Sequence, residues 1–200
     1  MPYLSYSQVS SFLKNKTEYI KNYFLKEPIQ FRDYLDFGGK VGTALEHNDF
    51  TGFDPEEQET LRKVPRLDEF EREIRLDYTK QGFYIKGFID TNDTSLTHVI
   101  DYKTGSQNKV AEYEKDEYIQ GLLYALGIKQ SCGKLPKKVE VILIERYGNA
   151  YKGERLTVGK QITHIPIDIG SQRLKYAEEV VIHAAEEISK YWKIFQQLNK

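Results

Sequence analysis

Between Gly82 and Gly105 the chain reads Gly-Phe-Tyr-Ile-Lys-Gly-Phe-Ile-Asp-Thr-Asn-Asp-Thr-Ser-Leu-Thr-His-Val-Ile-Asp-Tyr-Lys-Thr-Gly, which places Asp90, Asp101 and Lys103 where a sheet ordinarily buries apolar groups. Phe83 to Asp90 and Leu96 to Lys103 are rich in aromatic and β-branched residues and flank the polar run Asn92-Asp93-Thr94-Ser95, a pattern that predicts a hairpin. Folding about that turn sets Asp90 opposite Asp101, with Cβ atoms roughly 4.5–5.5 Å apart. Two carboxylates so placed repel unless a cation joins them. Side chains alternate along a strand, so Asp101 and Lys103 share one face while Tyr102 turns to the other. A hard divalent cation such as Mg2+ takes oxygen ligands and joins one or two carboxylates to substrate phosphates, so two acids beside an amine suit phosphodiester hydrolysis. Acid-x-Lys on a strand also arises as a surface ion pair on a solvated hairpin. Burial of Asp90 and Asp101 separates the two readings.

The 200 residues, 40% hydrophobic and 13% aromatic, suit one domain covering residues 1–200. No apolar run approaches the roughly 18 residues of a membrane span, and Met1-Pro2-Tyr3-Leu4-Ser5 lacks the basic and apolar regions of a signal peptide. A cytoplasmic protein without membrane association is the expectation. The single cysteine, Cys132, excludes an intrachain disulfide and a four-cysteine zinc or iron–sulfur site, and is read as a loop thiol. With a net charge of −1 there is no global basic field. Attraction for nucleic acid must come from a metal or from local clusters such as Lys14, Lys16 and Lys21 or Lys134, Lys137 and Lys138, each of which equally reads as a solvated face.

Along the chain, Ser5 is placed to cap a helix whose apolar residues Val9, Phe12, Leu13, Tyr19, Ile20, Tyr23 and Phe24 recur at helical spacing until Pro28, as a helix pair or one long helix. After Gly38-Gly39, read as flexible, a second helix is predicted around Gly42 to His47, carrying Glu46 and His47 side by side. Residues 54 to 70 are charged and helical in character and read as a lid or surface excursion. Glu73 to Tyr78 alternates as a half-buried strand leading into the hairpin. Residues 106 to 116 form a polar connector to a helix over Tyr118 to Gly127, ended by that glycine, in which Gln120 and Tyr124 share a face. Val139 to Arg146 and Ile162 to Ile169 read as strands, and Ser171 to Leu198 as a long helix with Trp192 and Phe195 in the core.

Taken together these segments resemble the PD-(D/E)XK nuclease superfamily, in its RecB-like branch with the CRISPR-associated exonucleases, over most of residues 3 to 127. Leu4-Ser5-Tyr6-Ser7 with its helix is similar to the branch's opening segment, and Gly42-x-x-x-Glu46 to its first acidic or histidine motif. Gly87-Phe88-Ile89-Asp90 matches Gly-x-x-Asp, Asp101-Tyr102-Lys103 the Asp-x-Lys strand, and Gln120-x-x-x-Tyr124 the trailing helix. The resemblance implies an α/β fold with a mixed central sheet flanked by helices. It implies Mg2+ or Mn2+ held by Asp90, Asp101, the Tyr102 carbonyl and a helix ligand from 42–47, with Asp90, Asp101, Lys103 and Glu46 catalytic. Gln120 and Tyr124 would orient Lys103 or the DNA backbone.

Two departures stand out. Lys14-Asn15-Lys16 replaces the cysteine and proline of many relatives and the later cysteines are missing, so no iron–sulfur cluster is expected. The glycine-to-histidine spacing common in the branch is one residue shorter than Gly42 to His47, which favours Glu46 as the helix ligand, as does the preference of Mg2+ for carboxylate oxygen. His47 would suit Mn2+, and neighbouring helix positions diverge by about 100°, so one of the two is a bystander. The implied function is a metal-dependent DNA nuclease, with exonuclease action in DNA processing, recombination or repair as the leading form and a helicase or recombination protein as a possible partner. The alternatives are an idle nuclease-fold module that binds nucleic acid or protein, and an α/β domain without such chemistry.

Overall fold

The computed structural model describes residues 3–27, 32–115 and 118–198. Its centre is β3 (Phe83–Asn92), which β2 (Glu69–Tyr78) flanks along one whole edge in antiparallel register, from Tyr78 opposite Phe83 to Glu69 opposite Asn92. The other edge of β3 is shared. β1 (Tyr3–Ser5) runs parallel to it from Tyr84 to Lys86, and β4 (His98–Gly105) pairs antiparallel only at Thr91 and Asn92. Beyond β4 lie β5 (Lys138–Tyr147), parallel to it, and β6 (Thr157–Pro166), antiparallel to β5. The sheet is therefore mixed and six-stranded. Val141 to Ile144 of β5 are buried on both faces, as a strand inside a covered sheet requires.

Helices cover both faces. On one, α1 (Tyr6–Lys14), α6 (Gln120–Cys132) and α7 (Ser171–Leu198) pack against Ile74, Leu76, Ile85, Val99, Val141 and Leu143. α1 ends at Asn15, whose side chain caps the short α2 (Lys16–Tyr19), and this runs into a π-helical turn, Ile20–Phe24. The opening segment is thus a helix pair, and Pro28 lies outside the described residues. On the second face, α3 (Asp33–His47) and α4 (Pro55–Arg62) bury Val41, Leu45 and Leu61 with Phe50 and Phe53 against Ile100, Ile142 and Ile144. The short α5 (Val110–Tyr113) follows a 3-10 turn, Gln107–Lys109, inside the stretch expected to be an unstructured connector, whose last residue, Asp116, is not described.

Several sequence expectations need correction. Gly38 and Gly39 lie within α3 rather than ahead of a helix. Residues 54 to 70 are no lid: Leu61 is fully buried, Val64 nearly so, and β2 already begins at Glu69. Gly127 does not end α6, which continues to Cys132 and stops at Gly133 in a left-handed conformation, φ 75°. Gly127 is instead a contact point, since a Cβ there would come within 2.3 Å of Ile74 Cγ2. Cys132 is exposed but helical. Trp192 and Phe195 flank the core around Phe24 rather than forming its centre. Among the described residues no helix is long and apolar enough to cross a membrane.

Candidate active site

Because β1 and β4 share one edge of β3 without meeting, Gly87 to Asp90 have no strand neighbour on that side. The predicted register holds, since the next pair after Thr91–Ile100 would be Asp90–Asp101, but β4 splays away one step earlier. The freed Tyr102 amide donates to Asp90 Oδ2 at 2.5 Å, taking the place of the lost ladder bond. α6 closes the gap from one face. The Tyr124 hydroxyl donates to the Phe88 carbonyl at 2.6 Å, accepts from Gln120 Nε2 at 2.6 Å, and stands 3.5 Å from Asp101 Oδ1. Gly87 fits beneath this ring, for a Cβ would lie 3.1 Å from Tyr124 Cε1.

Asp101 is 1% exposed, and alternation turns it and Lys103 toward α6 while Tyr102 packs with the second core, as anticipated. A buried carboxylate needs compensation. Lys103 Nζ lies 2.6 Å from Asp101 Oδ2, and the Tyr118 hydroxyl donates to the same oxygen at 2.9 Å. Asp90 has less support. Burial, and then the Asp101 charge, push its carboxyl up to about 7 against the pull of Lys103 and the Tyr102 amide. Burial opposes the charge on Lys103, but Asp101 and Asp90 outweigh it and hold the ammonium above the ordinary lysine range. Tyr118 and Tyr124 are raised well above the usual tyrosine range by burial and then by Asp101, so their hydroxyls stay protonated donors. A solvated surface pair is excluded by this burial.

Glu46 is half-buried on α3. Its charge bears on Glu71, whose carboxyl is raised by burial and then by Glu46, and Glu71 in turn raises Asp90. His47 is exposed at the end of α3 and acts on Asp49 instead. Gln120 and Tyr124 brace the Phe88 carbonyl, and the ion pair of Lys103 is with Asp101. Sequence reading missed Glu71, which faces Asp90 across the β2–β3 register with a left-handed φ of 49°, and Tyr118, two residues ahead of the recognised glutamine. Only the register of β2, invisible without β3, could have pointed to Glu71.

Among the described residues no three His, Cys, Asp or Glu side chains converge as a ready-made metal cage. Asp90 Oδ1 accepts no described hydrogen bond and Asp101 Oδ1 has only the Tyr124 hydroxyl at 3.5 Å. Two carboxylates with oxygens to spare, beside the Tyr102 carbonyl, fit a hard cation that keeps several waters and takes the rest of its ligands from substrate.

The sequence model of the PD-(D/E)XK nuclease superfamily matches residues 49–197. The chain belongs to this superfamily. The match takes in Asp90, Asp101, Lys103, Gln120 and Tyr124 and begins after Glu46 and His47. In fold, the chain is similar to the crystal structure of a "Putative exonuclease" from Eubacterium rectale, with a TM-score of 0.61 at 12% sequence identity, over 94% of this chain and 80% of that one. None of the curated proteins matches. PD-(D/E)XK proteins are nucleases that hydrolyse phosphodiesters and generally use divalent metal ions, and the mixed sheet flanked by helices is the superfamily's fold.

Proposed function

We propose that this chain, acting as a single domain, is a metal-dependent DNA nuclease of the RecB-like kind, working from DNA ends in recombination or repair. The observation that carries this reading is the convergence of Asp90, Asp101 and Lys103 at the break in the edge of β3. An idle binding module would have no use for a buried carboxylate and lysine held together at the cost of desolvation.

Asp90 and Asp101 would hold Mg2+ or Mn2+ with the Tyr102 carbonyl, and Glu46, half-buried and acting on Glu71 where His47 is exposed and acts on Asp49, would be the helix ligand, directly or through a water. Such an ion, when bound, lowers the pKa of a water and offsets charge on the phosphate. Tyr118 and Lys103 keep Asp101 Oδ2 occupied, so Oδ1, with only the Tyr124 hydroxyl at 3.5 Å, is the oxygen left with capacity for the ion. Lys103, charged throughout the neutral range, places positive charge where charge develops on the phosphoryl oxygens and can orient the attacking water, whose proton goes to solvent. Gln120 and Tyr124 fix the Phe88 carbonyl and thereby the backbone leading to Asp90. Incubation with linear, circular and single-stranded DNA in Mg2+, Mn2+ or EDTA tests the reading. Loss of linear DNA only with metal, and sparing of closed circles, is the expected result. Cutting of circles would retain the nuclease and replace exonuclease by endonuclease.

A further inference from the structure

α3 and α4 cover the second face of the sheet only over β4, β5 and β6. The same face of β1, β3 and β2 is left open among the described residues, because Leu4, Ile74, Leu76 and Ile85 turn into the other core. Exposed there are Tyr3, 44% accessible, and Phe88, 43% accessible. Between them Tyr84 stacks on Tyr3 with centroids 5.8 Å apart at 26°, Arg75 lies 3.8 Å above the Tyr84 ring, and Lys86 Nζ lies 5.1 Å from the Phe88 centroid. Both cations are neutralised in place, Arg75 by Asp77 and Lys86 by Glu73, each at 2.7 Å. The face thus offers ring surface and paired charge rather than a free positive field.

A protein surface of this kind suits bases more than phosphates, since every base has a π-face and aromatic rings with interleaved cations form a stacking platform. Duplex DNA hides its base faces, and a platform can reach them only where strands are unpaired. Tyr84 and Phe88 are four residues apart, about 13 Å along the strand, which spans roughly four stacked bases at 3.4 Å each. The platform is continuous with the candidate site. Phe88 lies two residues before Asp90, and a groove of about 1110 Å³ is lined by Tyr3, Lys86, Phe88, Asp90 and Lys103, with Ser10 of α1 on its far wall.

We infer that the open face of β1, β3 and β2 binds single-stranded DNA by stacking bases on Phe88 and Tyr3, and feeds the strand along β3 to Asp90 and Lys103. This rests on the nuclease reading for its choice of DNA. The test is fluorescence anisotropy of a labelled oligo-dT and a blunt duplex of equal length with the full chain in EDTA, where no cutting interferes. Stacking contributions per base predict that Phe88→Ala weakens oligo-dT binding about tenfold while Phe88→Trp retains it. The new indole should be quenched on titration with oligo-dT, read against the parent containing Trp192 alone. The salt dependence should be shallow and unchanged by Phe88→Ala, unlike that of a phosphate-contacting surface. Phe88→Ala and Tyr3→Ala variants that bind oligo-dT as the parent does, or a parent that prefers duplex or oligo-rU, would overturn the inference. Phe88-dependent binding without any metal-dependent cleavage would instead sink the nuclease reading and leave this surface standing.

Discussion

Lys103 and Asp101 form an ion pair of 2.6 Å in which the acid is 2% exposed and the amine 27% exposed at their side chains. The pair is therefore anchored on the acid side, and Lys103 reaches from it toward the groove. Replacing Lys103 by Met leaves Asp101 buried with only tyrosine hydroxyls, which should lower metal-free stability by about 1–3 kcal/mol. Thermal unfolding in EDTA measures this, and an unchanged midpoint would show that the pair contributes nothing to the fold. Cleavage should fall by roughly 10²–10³ in the same variant, the usual effect of removing one preorganised charge.

The two carboxylates differ in what supports them, so their amide variants should differ in sign. Asp90 has a folded pKa of about 7, above its unfolded value, so the folded state binds the extra proton and Asp90's contribution to stability falls as pH rises through that window. Asp90→Asn should raise the metal-free unfolding temperature at pH 8, with the gain shrinking below pH 7 and vanishing near pH 4. Asp101→Asn should lower it, because that carboxylate is matched to Lys103 and Tyr118. Equal responses of the two variants would contradict the assignment.

Metal affinity should carry the same titration. The proton on Asp90 must leave before the oxygen can bind a cation, so Mn2+ affinity measured by calorimetry should rise about tenfold per pH unit below 7 and level off above it.

Much of this arrangement was legible in the sequence, for reasons that differ by element. The hairpin was readable because β3 and β4 are rich in aromatic and β-branched residues and the turn between them is polar, and the register followed from its midpoint. α7 was readable to its end residues because its apolar stripe is long and uninterrupted. β1 was not, since three residues carry no period and their strand character comes from pairing with Tyr84 to Lys86. Gly127 reads in the sequence as a helix end because glycine there has two meanings, and only the position of Ile74 decides between them. Leu61 and Val64 looked like part of a surface excursion because the charges around them dominate the local pattern, while the strands that bury them are distant in sequence.

Gly127 offers a direct test of how α6 is seated. An added Cβ would collide with Ile74 Cγ2 at 2.3 Å, and overpacking of this kind costs about 1–3 kcal/mol. Gly127→Ala should be destabilised and, because α6 carries Gln120 and Tyr124, impaired in cleavage. Adding Ile74→Ala removes the clashing methyl and should recover part of both, which a double-mutant cycle reads as a favourable coupling.

Glu71 holds a left-handed backbone at φ 49° beside Asp90. Glycine adopts that conformation without strain, whereas a residue with a Cβ is held there at roughly 1–2 kcal/mol. Glu71→Gly should therefore be more stable than Glu71→Ala by about 1 kcal/mol, and both should bind Mn2+ more weakly than the parent. The reverse stability order in chemical denaturation would place Glu71 in an ordinary strand conformation.

The central claim is that Asp90, Asp101 and Lys103 act together on a phosphodiester with a divalent ion. End-labelled linear DNA incubated with the parent, Asp90→Asn, Asp101→Asn and Lys103→Ala, each in Mg2+, Mn2+ and EDTA, tests it most directly. Cleavage by the parent in at least one metal, none in EDTA, and loss in all three variants with folded circular dichroism spectra is the predicted result. Cleavage that persists in EDTA or in any folded variant would contradict it.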